Sequence, residues 1–424
     1  MKILLLAFNV QEDIFPLGLR YLQAFANQHH PDVDVQIKEF SFGNRTAYAT
    51  NKNIELQALS YIFLEKPDVV AFSCYIWSAQ MIKDFARSIK SMNPAIKVLL
   101  GGVEVQESLL ESSIDFIIQG EGEIAFKELV DFFKGLREKQ DIHNIMYLAN
   151  GVLKKGPTAF IENLDTIPIP FNNDEHIKYT VMRLETARGC AFDCSFCHYA
   201  IPPLRHFSLP YMEKSIAELF RSYEFSYLTI LDGTFNSDIN RMFAILDMVE
   251  CEAKRKIKHI IIHCEMRPEM LDKEIVEKLQ KYSFKMNIEF GLQSTHPEVL
   301  KAVKRYTNLS KVRENLALLD NSSINYKIDL MYGLPQDTFF RFLLSARFIL
   351  DNAKKQHNLV AHHFMLLNNT DSLQHENVDR YTDATSGMVI RTETQDAFDI
   401  YKTKLFLDLI NDELDVCKHI QRKN

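Results

Sequence analysis

Three cysteines lie close together in the stretch Cys190-Ala191-Phe192-Asp193-Cys194-Ser195-Phe196-Cys197. Their spacing, C-x3-C-x2-C, is not one that an ordinary apolar core requires. Thiolates are the soft ligands that iron–sulfur clusters select, and a [4Fe-4S] cluster is closed by four ligands. Because this stretch supplies three, one iron would stay open to a small molecule, as one position of a catalytic zinc does. The stretch therefore predicts a cluster that takes part in chemistry.

Together with the preceding Glu185-Thr186-Ala187-Arg188-Gly189, this stretch resembles the cluster loop of the radical S-adenosylmethionine (radical SAM) superfamily. Phe196 fills the aromatic position before the last cysteine of that family's pattern. The resemblance implies a [4Fe-4S] cluster held by Cys190, Cys194 and Cys197, whose fourth iron binds the amino and carboxylate groups of S-adenosylmethionine. One electron would then cleave the sulfonium to a 5′-deoxyadenosyl radical.

A structural zinc loop and a set of buried free cysteines are the alternatives for these thiols. Zinc needs a fourth ligand, for which His198 and His206 are nearest, and the usual paired C-x2-C spacing is absent. The chain has seven cysteines, and the scattered spacing of the others does not indicate a disulfide framework. The expected compartment is therefore the reducing cytoplasm, where an oxygen-sensitive cluster survives.

The composition is that of a globular protein with two or three domains: 424 residues, of which 46% are hydrophobic. The net charge is −7 without a long block of like charges, so no nucleic-acid partner is expected. The apolar start, Met1–Phe8, is short and lacks a small-residue cleavage site, so it indicates a first strand and not a signal peptide. No apolar run approaches the ~20 residues that span a bilayer, so no membrane association is expected.

Residues 1–140 alternate short apolar strands with amphipathic helical patterns, which is typical of βαβ units around a parallel sheet. The predicted strands are Ile3–Phe8, Val33–Lys38, Val69–Ser73, Val98–Gly101 and Phe116–Gln119. The pattern predicts a doubly wound, Rossmann-like sheet. Such sheets bind ligands at the carboxyl ends of their strands.

The unusual residues of this first domain follow those strand ends. They resemble the loops of the cobalamin-binding domain that precedes many radical SAM enzymes. The resemblance implies that glycines let the backbone approach the flat macrocycle, while Ser73 and backbone amides hold its peripheral groups. The alternative is that the glycines only end strands in a sheet without a ligand. The predicted cobalamin contacts are Phe15, Pro16, Gly18, Ser73, Tyr75, Trp77, Gly101, Gly102, Glu104, Gly120, Glu121 and Gly122.

One departure from the cobalamin pattern concerns the lower cobalt ligand. Many cobalamin domains carry D-x-H-x-x-G after the first strand, and its histidine coordinates cobalt from below. Here the matching stretch is Asp13-Ile14-Phe15-Pro16-Leu17-Gly18, with Phe15 in the place of the histidine. His143 lies outside this loop and lacks the glycine three residues later. The resemblance therefore implies that cobalamin binds base-off, without a histidine ligand.

A hairpin and a linker are predicted for residues 141–178. Asn150-Gly151 is typical of a primed hairpin turn, and Ile167-Pro168-Ile169-Pro170 predicts an extended connection. Residues 179–367 then contain six strand-then-helix units, which predict a partial (βα)6 TIM-like barrel. Their strands lie near Val181–Thr186, Tyr227–Leu231, His259–His263, Met286–Gly291, Tyr326–Met331 and Val360–Leu367.

A short helical tail is predicted for residues 368–424. Phe398, Tyr401, Leu405 and Leu409 recur at helical spacing there, so we expect a helix that caps the barrel.

Polar residues end several of the barrel strands. Asp232-Gly233-Thr234 resembles the segment that contacts the amino group of S-adenosylmethionine in the radical SAM family. Carboxylates suit an ammonium or a ribose hydroxyl, and Arg267 suits a carboxylate. For His263 and Asp329, a site role and a structural role such as a helix N-cap both stay open. The predicted S-adenosylmethionine contacts are Phe196, Asp232, Gly233, Thr234, Glu265, Arg267, Gln293 and Ser294.

The two sets of motifs together imply a cobalamin-dependent radical SAM enzyme. The commonest activity that this pairing implies is methyl transfer to an unactivated carbon of a small molecule or peptide, with an electron donor such as a flavodoxin or ferredoxin as partner. One alternative uses cobalamin in oxidation, ring contraction or cyclisation without methyl transfer. Another is a non-catalytic protein that binds an iron–sulfur cluster and cobalamin. The open position of the cluster argues against that last alternative.

Overall fold

A computed structural model divides the chain into two units. One comprises Met1–Arg183 with Pro210–Glu224, and the other comprises Leu184–Leu209 with Phe225–Asn424. The end of the predicted linker, residues 172–178, lies outside the described residues. The structure describes residues 1–424 except 11, 43–51, 172–178, 201, 257–258, 357, 369, 375–377, 381–386 and 422–424.

The first unit contains a seven-stranded sheet in the order β2-β1-β3-β4-β5-β6-β7. Strands β1 to β5 pair in parallel, and the hairpin β6–β7 adds two antiparallel strands at one edge. The strands are β1 (Lys2–Asn9), β2 (Asp34–Ser41), β3 (Val69–Ser73), β4 (Lys97–Gly101), β5 (Phe116–Ile118), β6 (Ile145–Ala149) and β7 (Val152–Lys155). The helices are α1 (Leu17–His29), α2 (Lys52–Glu65), α3 (Ala79–Met92) and α4 (Gly122–Phe133).

Helices cover both faces of this sheet, which explains why β1 is apolar along most of its length. Successive residues of a strand point to opposite faces. Leu4, Leu6 and Phe8 therefore join the core under α2 and α3, whereas Ile3 and Leu5 join the core under α1 and α4. An apolar strand without alternation is typical of a parallel sheet buried on both sides. The doubly wound sheet is confirmed, and it brings the loops after β1, β3, β4 and β5 to one edge.

The second sheet has six strands in the order β15-β14-β13-β12-β11-β8, so each strand lies beside its neighbour in the series. From β8 onward the strands are β8 (Val181–Leu184), β9 (Ala187–Arg188), β10 (Arg205–His206), β11 (Tyr227–Ile230), β12 (Ile261–Met266), β13 (Lys285–Gln293), β14 (Asn325–Tyr332), β15 (Val360–His363), β16 (Asp379–Arg380) and β17 (Val389–Arg391). The helices are α5 (Leu209–Ser222), α6 (Ile239–Arg255), α7 (Lys273–Leu279), α8 (Pro297–Ala302), α9 (Leu309–Asp320), α10 (Phe339–Asn352) and α11 (Ala397–Gln421).

This sequential order confirms the partial (βα)6 barrel. Right-handed crossovers place the helices on one face of a sheet with this order. Along β13, buried residues such as Ile288 and Phe290 alternate with half-buried ones such as Glu289 and Gly291. The apolar residues pack under the helices, and the polar ones point into the barrel interior.

The tail helix is confirmed as α11, but the orientation expected for its apolar residues is wrong. Phe398, Tyr401, Leu405 and Leu409 are all exposed, whereas Ile400 and Leu407 are buried on the opposite side of the helix. The four exposed residues therefore do not cap the barrel. Among the described residues, no helix combines the length and the apolar character that a membrane crossing requires.

Candidate active site

The cysteine loop, Cys190–Cys197, is fixed at both ends by the backbone. Ser195 donates its N–H to the carbonyl of Val303 at 3.1 Å and accepts from the N–H of Ser372 at 2.8 Å. Gly189, directly before Cys190, has φ of +86°, and a Cβ there would lie 2.5 Å from the carbonyl oxygen of Pro202. Only glycine fits this conformation and this space. The loop is therefore held in place by residues far along the chain.

The three thiols have the environment that iron ligands need. Cys194 is buried, and Cys190 and Cys197 are half-buried. Burial raises the pKa of Cys197 to about 11, and the other two thiols act in the same direction. A bound cation would overcome this resistance to deprotonation. The residues thus fit a cluster that takes three thiolates.

One zinc ion fits the three thiols less well. Zinc–sulfur bonds of about 2.3 Å would bring the sulfur atoms to roughly 3.8 Å from one another. Within the described residues, the grouping whose ligand atoms all lie within 4.8 Å of one another consists of Glu289, Asp329 and His362, and does not include the cysteines. The wider spacing of the thiols favours a larger cluster.

Two buried arginines point at Cys194. Arg267 Nη2 lies 3.8 Å from its Sγ, and Arg305 Nη1 lies 3.6 Å from it. The Nε–H groups of both arginines are buried without a partner. Buried unpaired donors are costly, and three thiolates around a [4Fe-4S] core carry net negative charge. The pair of guanidinium groups is therefore suited to an anionic cluster.

Arg267 was predicted to bind a carboxylate, and the structure shows what else holds it. Its guanidinium carbon lies 3.6 Å from the centroid of the Phe192 ring, and its Nη1 donates to the carbonyl of Tyr306 at 2.9 Å. The carboxylate role stays a prediction. Arg305 was missed, because nothing local in the sequence marks an arginine that contacts a residue 111 positions away.

Both carboxylate oxygens of Asp232 accept hydrogen bonds from residues just before the cysteine loop. Its Oδ1 accepts from the N–H of Thr186 at 2.8 Å and of Ala187 at 3.2 Å, and its Oδ2 accepts from Thr186 Oγ1 at 2.5 Å. Burial raises the pKa of Asp232, and the hydrogen bonds from Thr186 oppose that rise. The predicted contact with the S-adenosylmethionine ammonium stays a prediction. The hydrogen bonds add a second role for Asp232, which is to position the cysteine loop.

We expect Asp232→Ala to lower both stability and cluster content. The variant leaves the buried N–H groups of Thr186 and Ala187 without an acceptor, at a cost of about 1–3 kcal/mol per group. The denaturation midpoint and the iron content after anaerobic reconstitution measure the effect. Asp238→Ala is the control for lost stability, because Asp238 caps α6 through the N–H of Arg241, whereas Asp232 bonds the N–H groups of Thr186 and Ala187. Full iron content with weakened S-adenosylmethionine binding would instead assign Asp232 to that cofactor.

The segment after Asp232 contacts the cysteine loop directly. Thr234 Oγ1 lies 3.6 Å from Cys190 Sγ. A Cβ on Gly233 would lie 3.0 Å from the side chain of Tyr199, so glycine lets the Tyr199 ring approach the backbone. The predicted Phe196 is half-buried. The structure therefore brings Gly233, Thr234 and Phe196 into the surroundings of the thiols.

The backbone is irregular at Gln293, another predicted contact. The register of β13 on β14 shifts between Gly291 and Gln293, and Gln293 has φ of +69°. Its amide oxygen Oε1 is buried and has no partner. Bulges and unfavourable backbone angles concentrate at functional sites. Gln293 thus offers a free acceptor to a ligand, whereas the neighbouring Ser294 is buried and its Oγ accepts from the N–H of His296 at 3.2 Å.

The open question on His263 and Asp329 has a structural answer. The side-chain N-caps found among the described helices are Asn163, Asp238, Asp272, Asn308 and Thr338, so neither residue caps a helix. Both lie in the barrel interior in a polar group that also contains Glu265 and Glu289.

In the first unit, the loops after β3 and β4 are tied together. Cys74 N–H donates to the carbonyl of Gly101 at 2.6 Å, and Glu104 N–H donates to the carbonyl of Cys74 at 3.4 Å. Gly102 has φ of +110°, and a Cβ there would lie 2.5 Å from the carbonyl oxygen of Cys74. Ser73 pairs with Gly101 in the sheet. The structure therefore brings the predicted contacts of these two loops together.

Two aromatic residues lie at the same edge of this sheet. Tyr75 and Trp77 stack with ring centroids 4.7 Å apart and planes 4° apart. Trp77 Nε1 donates to the carbonyl of Phe8 at 2.8 Å, which holds the ring over the end of β1. A rigid, half-buried aromatic pair offers a flat surface to a ligand.

The remaining predicted contacts lie at the starts of α1 and α4. Gly18 is exposed near the first turn of α1. Gly120 has φ of +84°, and Gly122 lies against Leu22, 3.1 Å from the place of a Cβ. The side chain of Glu121 accepts from the N–H of Ile161 at 3.0 Å, so it holds the chain after β7.

The prediction that Phe15 lies against cobalamin needs correction. Phe15 is fully buried and packs on Phe171, Tyr179 and Tyr223, with centroids 5.3–5.5 Å away. Pro16 beside it is also buried. The aromatic ring gains more from this core than from an open edge, because burial of a large apolar side chain is favourable. Phe15 serves packing, not a ligand face.

Comparisons with known proteins match both halves of the chain. Residues 3–130 match the family described as B12 binding domain, and residues 184–349 match the radical SAM superfamily. An uncharacterized methyltransferase of Pyrococcus horikoshii, PH0819, is 27% identical over 341 residues, which are 76% of this chain and 70% of that protein. The cobalamin-dependent radical SAM methyltransferase TokK of Streptomyces tokunonensis is 25% identical over 308 residues.

The match to TokK covers 64% of this chain but only 43% of TokK, so this chain spans less than half of that relative. A solved structure of TsrM from Kitasatospora setae, a radical S-adenosylmethionine methyltransferase with tryptophan substrate and a SAM analogue bound, has the same fold. Its TM-score is 0.71 at 15% identity, over 87% of this chain and 74% of TsrM.

Proposed function

Because the chain belongs to the radical SAM proteins that carry a B12-binding domain, we propose that it is a cobalamin-dependent methyltransferase. Its substrate is a small molecule or peptide with an unactivated carbon. The three-thiol loop is the main support for the proposal. Three thiolates would leave one iron of the cluster open, and the same chain also contains a B12-binding domain. The name of TokK, a cobalamin-dependent radical SAM methyltransferase, supports methyl transfer.

When bound, the cluster, S-adenosylmethionine and cobalamin supply the radical and the methyl group. The protein's own residues bind and orient. Cys190, Cys194 and Cys197 hold the cluster, and Arg267 and Arg305 complement its charge. Gln293 offers an acceptor to S-adenosylmethionine. In the other unit, the loops around Gly102 and Trp77 hold cobalamin.

Methyl-labelled S-adenosylmethionine tests the proposal. The anaerobically reconstituted protein, with cobalamin, a reductant and candidate substrates, should release 5′-deoxyadenosine and a product that carries the labelled methyl group. Mass spectrometry detects both. A product without the label, formed together with 5′-deoxyadenosine, would contradict methyl transfer and favour oxidation, ring contraction or cyclisation.

We further infer that cobalamin binds base-off and without a histidine ligand, because phenylalanine stands where the D-x-H-x-x-G histidine would be. We expect the electron paramagnetic resonance spectrum of bound cob(II)alamin to show cobalt lines without the triplet splitting that an axial nitrogen causes. Free base-on cob(II)alamin is the reference spectrum. Triplet splitting in the bound state would refute this inference.

The proposal includes a one-electron donor such as a flavodoxin or ferredoxin, since the cluster must be reduced before it can act. It also includes a cytoplasmic location, because free thiols and an oxygen-sensitive cluster need reducing surroundings. A net charge of −7 gives no support to a nucleic-acid partner.

A further inference from the structure

Three charged residues lie side by side on neighbouring strands of the barrel. Glu265 on β12 pairs with Glu289 on β13, and Glu289 pairs with Lys327 on β14. Paired residues of a parallel sheet point to the same face. Because Ile288 and Phe290 on either side of Glu289 are buried under the helices, this shared face is the barrel interior.

Further polar side chains join this row, and together they form what we call the interior polar group. Lys327 Nζ lies 2.7 Å from Glu289 Oε2 and 3.5 Å from Asp329 Oδ2. His362 Nε2 lies 3.3 Å from Asp329 Oδ2, and His263 Nε2 lies 3.5 Å from Glu289 Oε2. The group consists of Glu265, Glu289, Asp329, Lys327, His263 and His362.

Acceptors exceed donors in this group. Three carboxyl groups face one ammonium and two imidazoles. Burial, together with the charge of Lys327, lowers the pKa of His263, which favours the neutral form of this imidazole. The hydrogen bond to Asp329 raises the pKa of His362, which favours the charged form of this imidazole.

One acceptor of the group is left unused. Asp329 is only 4% exposed, and its Oδ1 is buried without a hydrogen-bond partner. A buried carboxylate oxygen without a donor is unfavourable. Burial, and then a side-chain hydrogen bond with Asp329, raise the pKa of Glu289 to about 7, so a proton shared by these two carboxyl groups is the internal donor. A cationic group of a ligand that donates to Asp329 would take the place of that proton.

The interior polar group lies a short distance below the residues that hold the cluster loop. The carbonyl of Gly291 accepts from Arg305, and the same guanidinium reaches Cys194. Glu289 precedes Gly291 by two residues of one strand, or about 7 Å. A ligand anchored at Glu289 and Asp329 with a few carbon atoms of length would thus reach the level of Gly291 and Arg305.

A divalent cation is the other ligand to consider. Glu289, Asp329 and His362 have ligand atoms within 4.8 Å of one another. However, the ammonium of Lys327 lies 2.7 Å from Glu289 and already occupies the place next to it. A metal ion would have to displace Lys327, whereas an organic cation can bond to the free oxygen of Asp329 with Lys327 in place.

We propose that the interior polar group binds a basic nitrogen of the substrate, an ammonium or guanidinium group, and that the substrate is an amine. This inference rests on the proposed function only in that the amine is the molecule to be methylated. Binding itself needs no turnover.

Calorimetric titration of the anaerobic, reconstituted protein with n-butylammonium tests the proposal, with n-butanol and butyrate as matched neutral and anionic probes. We expect saturable binding of n-butylammonium alone. Asp329→Asn and Glu289→Gln should each weaken it about tenfold, as loss of a charged hydrogen bond does. Lys327→Met should strengthen it, because the positive charge of Lys327 no longer repels the bound ammonium. Asp247→Asn is the control, since Asp247 bonds Tyr282 outside the group.

Equal affinity in wild type and in both carboxylate variants would overturn the proposal. So would binding of butyrate in place of n-butylammonium, or tighter binding of Mn²⁺ that Glu289→Gln abolishes. If Asp329→Asn does not fold, Glu289→Gln alone decides the question. Methyl transfer to a substrate without binding of n-butylammonium would refute only this inference, whereas binding without methyl transfer would refute only the proposed function.

Discussion

Alanine in place of Cys190, Cys194 or Cys197 abolishes both the cluster and the formation of 5′-deoxyadenosine; this is the result we expect. Each thiolate is one of only three protein ligands, and the loss of one leaves two corners of the cube open. Iron and sulfide content after anaerobic reconstitution, the absorbance near the cluster bands and chromatography of 5′-deoxyadenosine measure the effect.

Cys251→Ala is the matched control for these variants, because Cys251 is an exposed free cysteine on α6. It should keep full iron content. A triple alanine variant that still held four irons per chain and cleaved S-adenosylmethionine would show that the cluster is bound elsewhere.

Gly102→Ala should cause the second large loss, that of cobalamin binding. The added Cβ would lie 2.5 Å from the carbonyl oxygen and 2.9 Å from the nitrogen of Cys74, at φ of +110°. Backbone atoms cannot turn aside as a side chain can, so the loops after β3 and β4 must move apart. We expect at least about 1–3 kcal/mol less stability from the strained backbone and roughly tenfold or greater loss of affinity for cobalamin.

The neighbouring Gly101→Ala provides the comparison. Its Cβ would meet only the Cβ of Ile118, at 3.9 Å, which is ordinary van der Waals contact. Absorbance titration with hydroxocobalamin and a denaturation midpoint are measured for both variants. If Gly102→Ala bound cobalamin as Gly101→Ala does, the loops after β3 and β4 would not form its site.

Both folds and the cysteine loop were predictable because their signals are local. The apolar run of β1 and the cysteine spacing each depend on residues within eight positions. The direction in which a side chain points is not determined by neighbouring residues alone. The sequence motif predicted a ligand contact for Phe15, yet its ring packs into a core with Phe171 and Tyr179, more than 150 residues away.

Contacts between charged residues that lie far apart along the chain were also not predicted from the sequence. Arg305 reaches Cys194, and Asp329 bonds His362, only because neighbouring barrel strands bring them together. Periodicity reveals apolar faces, but a single buried charge has no period. The register of the strands, which follows from the folded sheet, was needed to find these contacts.

The hydrogen bond from Trp77 to Phe8 makes the sole tryptophan of the chain a fixed optical reporter. Its indole is held against Tyr75 at the edge where we place cobalamin, a corrin whose absorption bands overlap tryptophan emission. Occupancy of that edge should therefore quench the intrinsic fluorescence by energy transfer, in proportion to the fraction of protein loaded. Filling of the first unit can thus be followed in real time and without a label.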